Sequence, residues 1–259
     1  MYRLRNSGQL RAEPKRLYGL KALVTNAADG IGEAVARTLV KHGATVMAAD
    51  VSNSGVEQHY QQVRGITGYV SPMHDASRLP ALVDACVNQL GGLDIVVGDF
   101  PFSVEAPIEA PGPELDRIIE QRTALISSLA RAALPELKKS PAGRLIYLGF
   151  LRTLFAAEAR DALRRGELQL AALTRALAAE TGEFGITANY VQPGAVMTPQ
   201  SREAFRRNKE LRDYCISHSA ARRVGEPVDI AKVVLFLASD DAVFVSGTGI
   251  SVDGGRTDV

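Results

Sequence analysis

The sequence has little to offer three common chemistries. Its two cysteines, Cys86 and Cys215, are far apart and in neither metal-ligand nor redox spacing, so there is no disulfide framework or cysteine zinc site to read, as expected of a protein kept in a reducing cytoplasm. The four histidines, His42, His59, His74 and His218, are scattered without triad or metal spacing, and no Gly-x-Ser-x-Gly elbow occurs, so no metal site and no serine hydrolase is expected. An excess of one charge is missing as well. A net charge of +1 gives no electrostatic footprint for nucleic acid or an acidic membrane surface. No apolar run is long enough to span a bilayer.

What is present is a chain of 259 residues with 46% hydrophobic content, enough to bury a full core as a single α/β domain. An N-terminal segment with Arg3, Arg5, Arg11, Lys15 and Arg16 lacks the apolar centre of a secretory signal. Residues 1–17 are therefore expected as a tail or inter-subunit arm, and residues 18–259 as the domain. Apolar runs at Leu20–Val24, Ala44–Asp50, Ile66–Met73, Leu93–Val97, Arg144–Leu148, Ile186–Val191 and Gly249–Val252 alternate with a polar helical segment at Val56–Val63 and further helical segments at Leu79–Leu90, Leu115–Leu137, Ala157–Glu183 and Val228–Leu237. That alternation predicts a Rossmann-type, doubly wound parallel sheet. The charged stretch Pro199–His218 reads as irregular or helical, a place for a flap over a site.

The chain is organised around Ala22–Gly32, Ala-Leu-Val-Thr-Asn-Ala-Ala-Asp-Gly-Ile-Gly. A strand ends in a turn that opens into a helix carrying Ile31, Val35, Leu39 and Val40, with Gly43 beyond it as a left-handed stop. Gly30 and Gly32 stand where backbone approaches a diphosphate and where helix packs on strand. Asn26 replaces the first glycine of the usual fingerprint, and Asn is among the few residues that adopt a left-handed conformation. Asp50 closes the next apolar run about 20 residues on, where an acid accepts ribose hydroxyls.

With these residues in place, the chain resembles the short-chain dehydrogenase/reductase family over about Tyr18–Gly255. Leu93-Asp94-Ile95-Val96-Val97 is similar to its fourth strand, and Gln192–Pro199 to its Pro-Gly segment. Arg223–Ala231 and Ser251–Gly255 are similar to its C-terminal signatures. The resemblance implies a cofactor set of Asn26, Asp29, Gly30, Ile31, Asp50, Gly98, Pro193, Gly194, Val196 and Thr198, with Thr198 at the nicotinamide end. Asp50 implies NAD rather than NADP, because it would repel a 2′-phosphate, and Asp29 adds a second negative charge. The long helices at Leu115–Leu137 and Ala157–Glu183 resemble those through which family members pair. A homo-oligomer, dimer or tetramer, is thus implied, or pairing with an active relative, together with a small-molecule ligand.

The family chemistry needs a Tyr hydroxyl with a Lys one helical turn on, a Ser and an Asn. Registered on Leu173–Glu180, the Tyr position falls on Leu163 and the Lys position on Glu167. The Ser position falls on Phe150 and the Asn position on Arg122. No Tyr-x-x-x-Lys occurs anywhere in the chain, and Gly98-Asp99-Phe100-Pro101 replaces the family's Asn-Asn-Ala-Gly. Phe100, Phe102 and Phe150 either fill the space of a substrate or nicotinamide or pack beneath the sheet. Glu167, Asp161, Glu158, Asp99 and Tyr147 are the groups near that site able to substitute as acid or base. The expectation is an NAD(H)-binding protein without standard hydride transfer, a pseudoenzyme. The alternative is an oxidoreductase or lyase-type enzyme with a substituted acid or base.

Overall fold

The computed structural model describes residues 15–100, 112–149 and 160–256. Seven strands, β1 (Lys21–Thr25), β2 (Thr45–Asp50), β3 (Ile66–Val70), β4 (Ile95–Gly98), β5 (Arg144–Leu148), β6 (Thr187–Pro193) and β7 (Gly249–Val252), form one sheet in the order β3-β2-β1-β4-β5-β6-β7. Every pairing is parallel, with Leu23 opposite Met47 on one side and Val96 on the other. Parallel strands need crossover connections, and here helices provide them. These are α1 (Gly30–Lys41), α2 (Val56–Tyr60), α3 (Leu79–Leu90), α4 (Gly112–Leu137), α5 (Arg160–Thr181), α6 (Pro199–Arg207), α7 (Lys209–Ser217) and α8 (Pro227–Ala238).

The two-residue period of the strands divides the core into two layers. Ala22, Val24, Val46, Ala48, Ile95, Val97, Ile146 and Val191 face α1 and α8, a layer that also takes up Leu17 and Tyr60. Leu23, Met47, Ala49, Val96, Leu145, Tyr147 and Ala188 face α3, α4 and α5 on the other side. Strands buried on both faces need continuous apolar runs, which is why the short segments at β1, β2 and β4 read so plainly.

The limits of β5, β7 and α3 coincide with the sequence reading, while others differ for local reasons. The helix expected over Val56–Val63 ends at Tyr60, and the strand expected over Ile66–Met73 ends at Val70. The charged stretch from Pro199 to His218, read as irregular or helical, takes the helical form as two helices. Thr198 and Ser201 form a reciprocal capping box that starts α6, and the Asn208 side chain accepts from Leu211 N at 3.0 Å to start α7. Capping side chains of this kind satisfy the amides that a helix start leaves unpaired.

Candidate functional site

In an open parallel sheet, ligands lie beyond the carboxyl ends of the strands, where the strand order reverses. Here that point falls between β1 and β4. The chain leaves β1 through Asn26, at φ +53°, so the left-handed turn expected of a glycine survives with asparagine. Gly30 is also left-handed, at φ +56°. A Cβ on Gly32 would overlap the Asn26 carbonyl, so only glycine lets α1 start this close under the turn. Asp29 is the residue before α1, yet its side chain does not cap the helix; it bonds Gln200 instead. The first amides of α1 thus remain available to an anion.

Asp50 is buried at the end of β2. Its Oδ2 accepts from Ala28 N and its Oδ1 from Val51 N, both at 2.7 Å. Each oxygen keeps lone-pair capacity for a hydroxyl donor. Desolvation first, and the neighbouring Asp50 charge second, hold the Asp29 carboxyl above the usual carboxylate range, with the Gln200 bond opposing. Two acids therefore face the same turn.

On the other side of the turn, Thr198 and Pro199 close in. The Cβ that Gly30 lacks would stand 3.5 Å from Thr198 Cβ and 3.7 Å from Pro199 Cδ. The Thr198 hydroxyl accepts from Ser201 N at 3.2 Å and lies 2.9 Å from Ser201 Oγ, so it serves the start of α6. Val196 is buried against the α1 and α8 layer, and Ser201 Oγ donates to its carbonyl at 2.5 Å. Pro193 ends β6. A Cβ on Gly194 would come within 2.6 Å of Asp253 Cα, so this glycine answers to the close approach of the chain after β7.

The exit of β4 carries the least familiar arrangement. Thr25 Oγ1 donates to Asp99 O at 2.5 Å and accepts from Asp99 N at 2.9 Å. Asn26 Nδ2 donates to Asp99 Oδ2 at 2.9 Å. Arg122, from α4, donates through Nη2 to Asp99 Oδ1 at 2.5 Å and to the Leu148 carbonyl at 3.1 Å, with the Gly149 carbonyl at 3.4 Å. Burial pushes the Asp99 carboxyl up, against the pull of Arg122 and Asn26. Burial likewise pushes the Arg122 guanidinium down, against Asp99. Three residues that lie far apart in sequence, Asn26, Asp99 and Arg122, are thus one hydrogen-bonded unit across the switch point.

A family model described as enoyl-(acyl carrier protein) reductase matches residues 26–257. The chain belongs to the short-chain dehydrogenase/reductase family. Among curated relatives, the 3-oxoacyl-(acyl-carrier-protein) reductase FabG of Thermotoga maritima is 26% identical over 245 residues, 93% of this chain and 98% of the relative. The 7alpha-hydroxysteroid dehydrogenase of Escherichia coli is 28% identical over 248 residues, 93% of this chain and 95% of the relative. Dehydrogenase/reductase SDR family member 4 of Homo sapiens is 29% identical over 260 residues, 98% and 92% of the two chains. The crystal structure of a hydroxysteroid dehydrogenase from Escherichia coli superposes with a TM-score of 0.81 at 26% identity, covering 94% of this chain and 99% of that one.

Within this short-chain dehydrogenase/reductase frame, the positions expected to carry catalysis separate. Arg122 is buried in the ion pair just described, and Glu167 is half-buried on α5. Phe150, Phe102, Glu158 and the side chains of Asp161 and Leu163 lie outside the described residues. Of the two outcomes left open for Phe100, the structure gives the second: its ring is buried in the layer beneath the sheet. Gly98 has a packing reason of its own, since a Cβ there would come within 2.9 Å of Tyr147 Cδ1. The Tyr147 hydroxyl is buried with no hydrogen-bond partner among the described residues, and burial raises its pKa. His218 ends α7 with its ring stacked on Tyr214, centroids 4.0 Å apart.

Among the described residues no cluster of metal-binding side chains occurs, and no helix is long and apolar enough to cross a membrane. Sequence reasoning missed the bonds that join Asn26, Asp99 and Arg122, and it missed Gln200 altogether. It also overlooked the hydrogen-bonded group of Glu33, Arg37 and His59, for which the four-residue spacing of Glu33 and Arg37 was a usable signal.

Proposed function

We propose that this chain is an NAD(H)-binding member of its family in which standard hydride transfer has been lost, acting as a sensor, a regulatory partner or an inactive subunit. The observation that carries the reading is Arg122, a buried guanidinium at the family's Asn position with Asp99 and the Leu148 carbonyl as partners. Such a group holds its proton across the physiological range and cannot pass it along a relay. The absence of any Tyr-x-x-x-Lys in the chain points the same way.

The turn fits a dinucleotide through its open helix start, the left-handed Gly30 and Gly32, whose place under the turn only a bare backbone satisfies. Asn26, Asp29, Gly30 and Ile31 would lie along the diphosphate, Asp50 at the ribose hydroxyls, and Gly98, Pro193, Gly194, Val196 and Thr198 toward the nicotinamide. NAD would supply a hydride acceptor there; the residues themselves bind and orient. Asp50 and Asp29 together favour NAD over NADP. We read the protein as cytoplasmic and as a homo-oligomer, or a partner of an active relative, with α4 and α5 as the pairing helices.

A second reading, an oxidoreductase or lyase-type enzyme with a substituted acid or base, draws on Asp99, whose carboxyl burial holds above the usual range. One pair of measurements separates the readings. NAD at 100 times its Kd is expected to stabilise the fold by about 2.7 kcal/mol, with no NAD(H) turnover across a broad panel of alcohols and ketones. Turnover abolished by Glu167→Gln establishes the second reading instead. A flat thermal response to both NAD and NADP overturns the cofactor assignment.

A further inference from the structure

The flank of the turn beside Asp50 carries a second charged arrangement. Glu33 stands in the first turn of α1, and one of its oxygens serves two partners. Arg37 Nε donates to Glu33 Oε1 at 2.7 Å, and His59 Nε2, from α2, lies 2.8 Å from the same oxygen. Arg37 Nη2 is 3.2 Å from His59 Nε2. Both groups are gathered over Tyr60: the guanidinium is 5.6 Å from the ring centroid, and the imidazole meets the ring edge-on at 4.7 Å. Tyr60 in turn donates its hydroxyl to the Ala27 carbonyl at 2.6 Å, inside the turn itself. The Glu33 carboxyl lies low despite partial burial, because Arg37 and His59 bond it.

A ribose 2′-phosphate is recognised by a guanidinium fork with free donors and by neighbouring cations. Among the described residues on this flank, Arg37 offers such a fork and His59 a ring nitrogen beside it, and Glu33 already engages both. We propose that Glu33 determines dinucleotide specificity by withholding Arg37 and His59 from the ribose end of the site. The inference rests on the dinucleotide reading of the turn. It differs from the direct repulsion by Asp50 and Asp29, because Glu33 acts through its partners and is a positioning residue.

The test is isothermal calorimetry with NAD and with NADP on the wild type, Glu33→Gln, Glu33→Ala and Glu33→Ala/Arg37→Met. Releasing one cation to meet a phosphate at a few ångströms in a largely solvated site is worth about a factor of five to ten. NADP is therefore expected to bind about five- to tenfold tighter to Glu33→Ala, and in the same direction to Glu33→Gln. The NAD Kd should move less than about twofold in both, since NAD places no phosphate there. The double variant should return NADP to its wild-type affinity. A loss of affinity common to NAD and NADP, or NADP binding unchanged in both single variants, overturns the inference while leaving the NAD site standing. A wild type that binds neither dinucleotide overturns the reading of the site and this inference with it.

Discussion

The Arg122 guanidinium stands 2.5 Å from Asp99 Oδ1, with both side chains largely withdrawn from water. The pair joins α4 to the exit of β4 and, through Asn26, to the turn after β1. A buried pair is costly to desolvate, and removing one member leaves the other charge uncompensated, at about 3–5 kcal/mol. The two single losses are not equivalent here. Asp99, already pushed up by burial, can take a proton, whereas a guanidinium cannot lose one.

Arg122→Met should therefore cost stability that shrinks as pH falls, while Asp99→Asn should cost a similar amount with no such relief. Urea unfolding at mildly acidic and mildly alkaline pH measures both, and Asp99→Asn/Arg122→Met should be less destabilised than the sum of the singles. Additive losses would mean that the two residues act separately.

The Asn26 turn separates backbone from side chain. Asn26→Gly keeps the left-handed φ of +53° at no steric cost but deletes the bond from Nδ2 to Asp99 Oδ2. Asn26→Ala deletes the bond and adds the left-handed penalty of about 1–2 kcal/mol. The expected order of stability is wild type, then Gly, then Ala, read from denaturant midpoints. A glycine variant more stable than the wild type would show that the Asp99 bond contributes nothing net.

Much of this was legible because it depends on short-range patterning. Gly43 lies just past the end of α1 at φ +100°, as its place after the amphipathic run predicted. The continuous apolar runs set the strands, and Asn26 was marked as left-handed from its place in the glycine fingerprint together with its residue type. What was not legible depends on where distant segments meet. Asn26, Asp99 and Arg122 each read as an isolated departure from a pattern, and only the order β1-β4-β5 with α4 above it brings them together. Phe100 could have faced the site or the core, since a residue leaving a strand has no period to settle its side. The α6 start was hidden in a charged segment, because a Thr-Ser capping box lacks the Glu or Gln that usually signals one.

Asp29 offers a test of sign. Its carboxyl is held above the ordinary value of 3.8, by desolvation first and by Asp50 second. The folded state thus binds this proton more tightly than the unfolded chain does. The stability this contributes is fully present below 3.8 and is lost as pH rises through the folded value. Asn at the same position caps a helix as well as Asp and can still bond Gln200, but it never ionises. Asp29→Asn should therefore match the wild type in strong acid and melt higher at neutral pH, with the gap opening in the window just above 3.8. Melting curves across that window decide the matter. If the variant instead melts lower at neutral pH, the Asp29 charge is serving the positive end of α1 rather than opposing Asp50 across the turn.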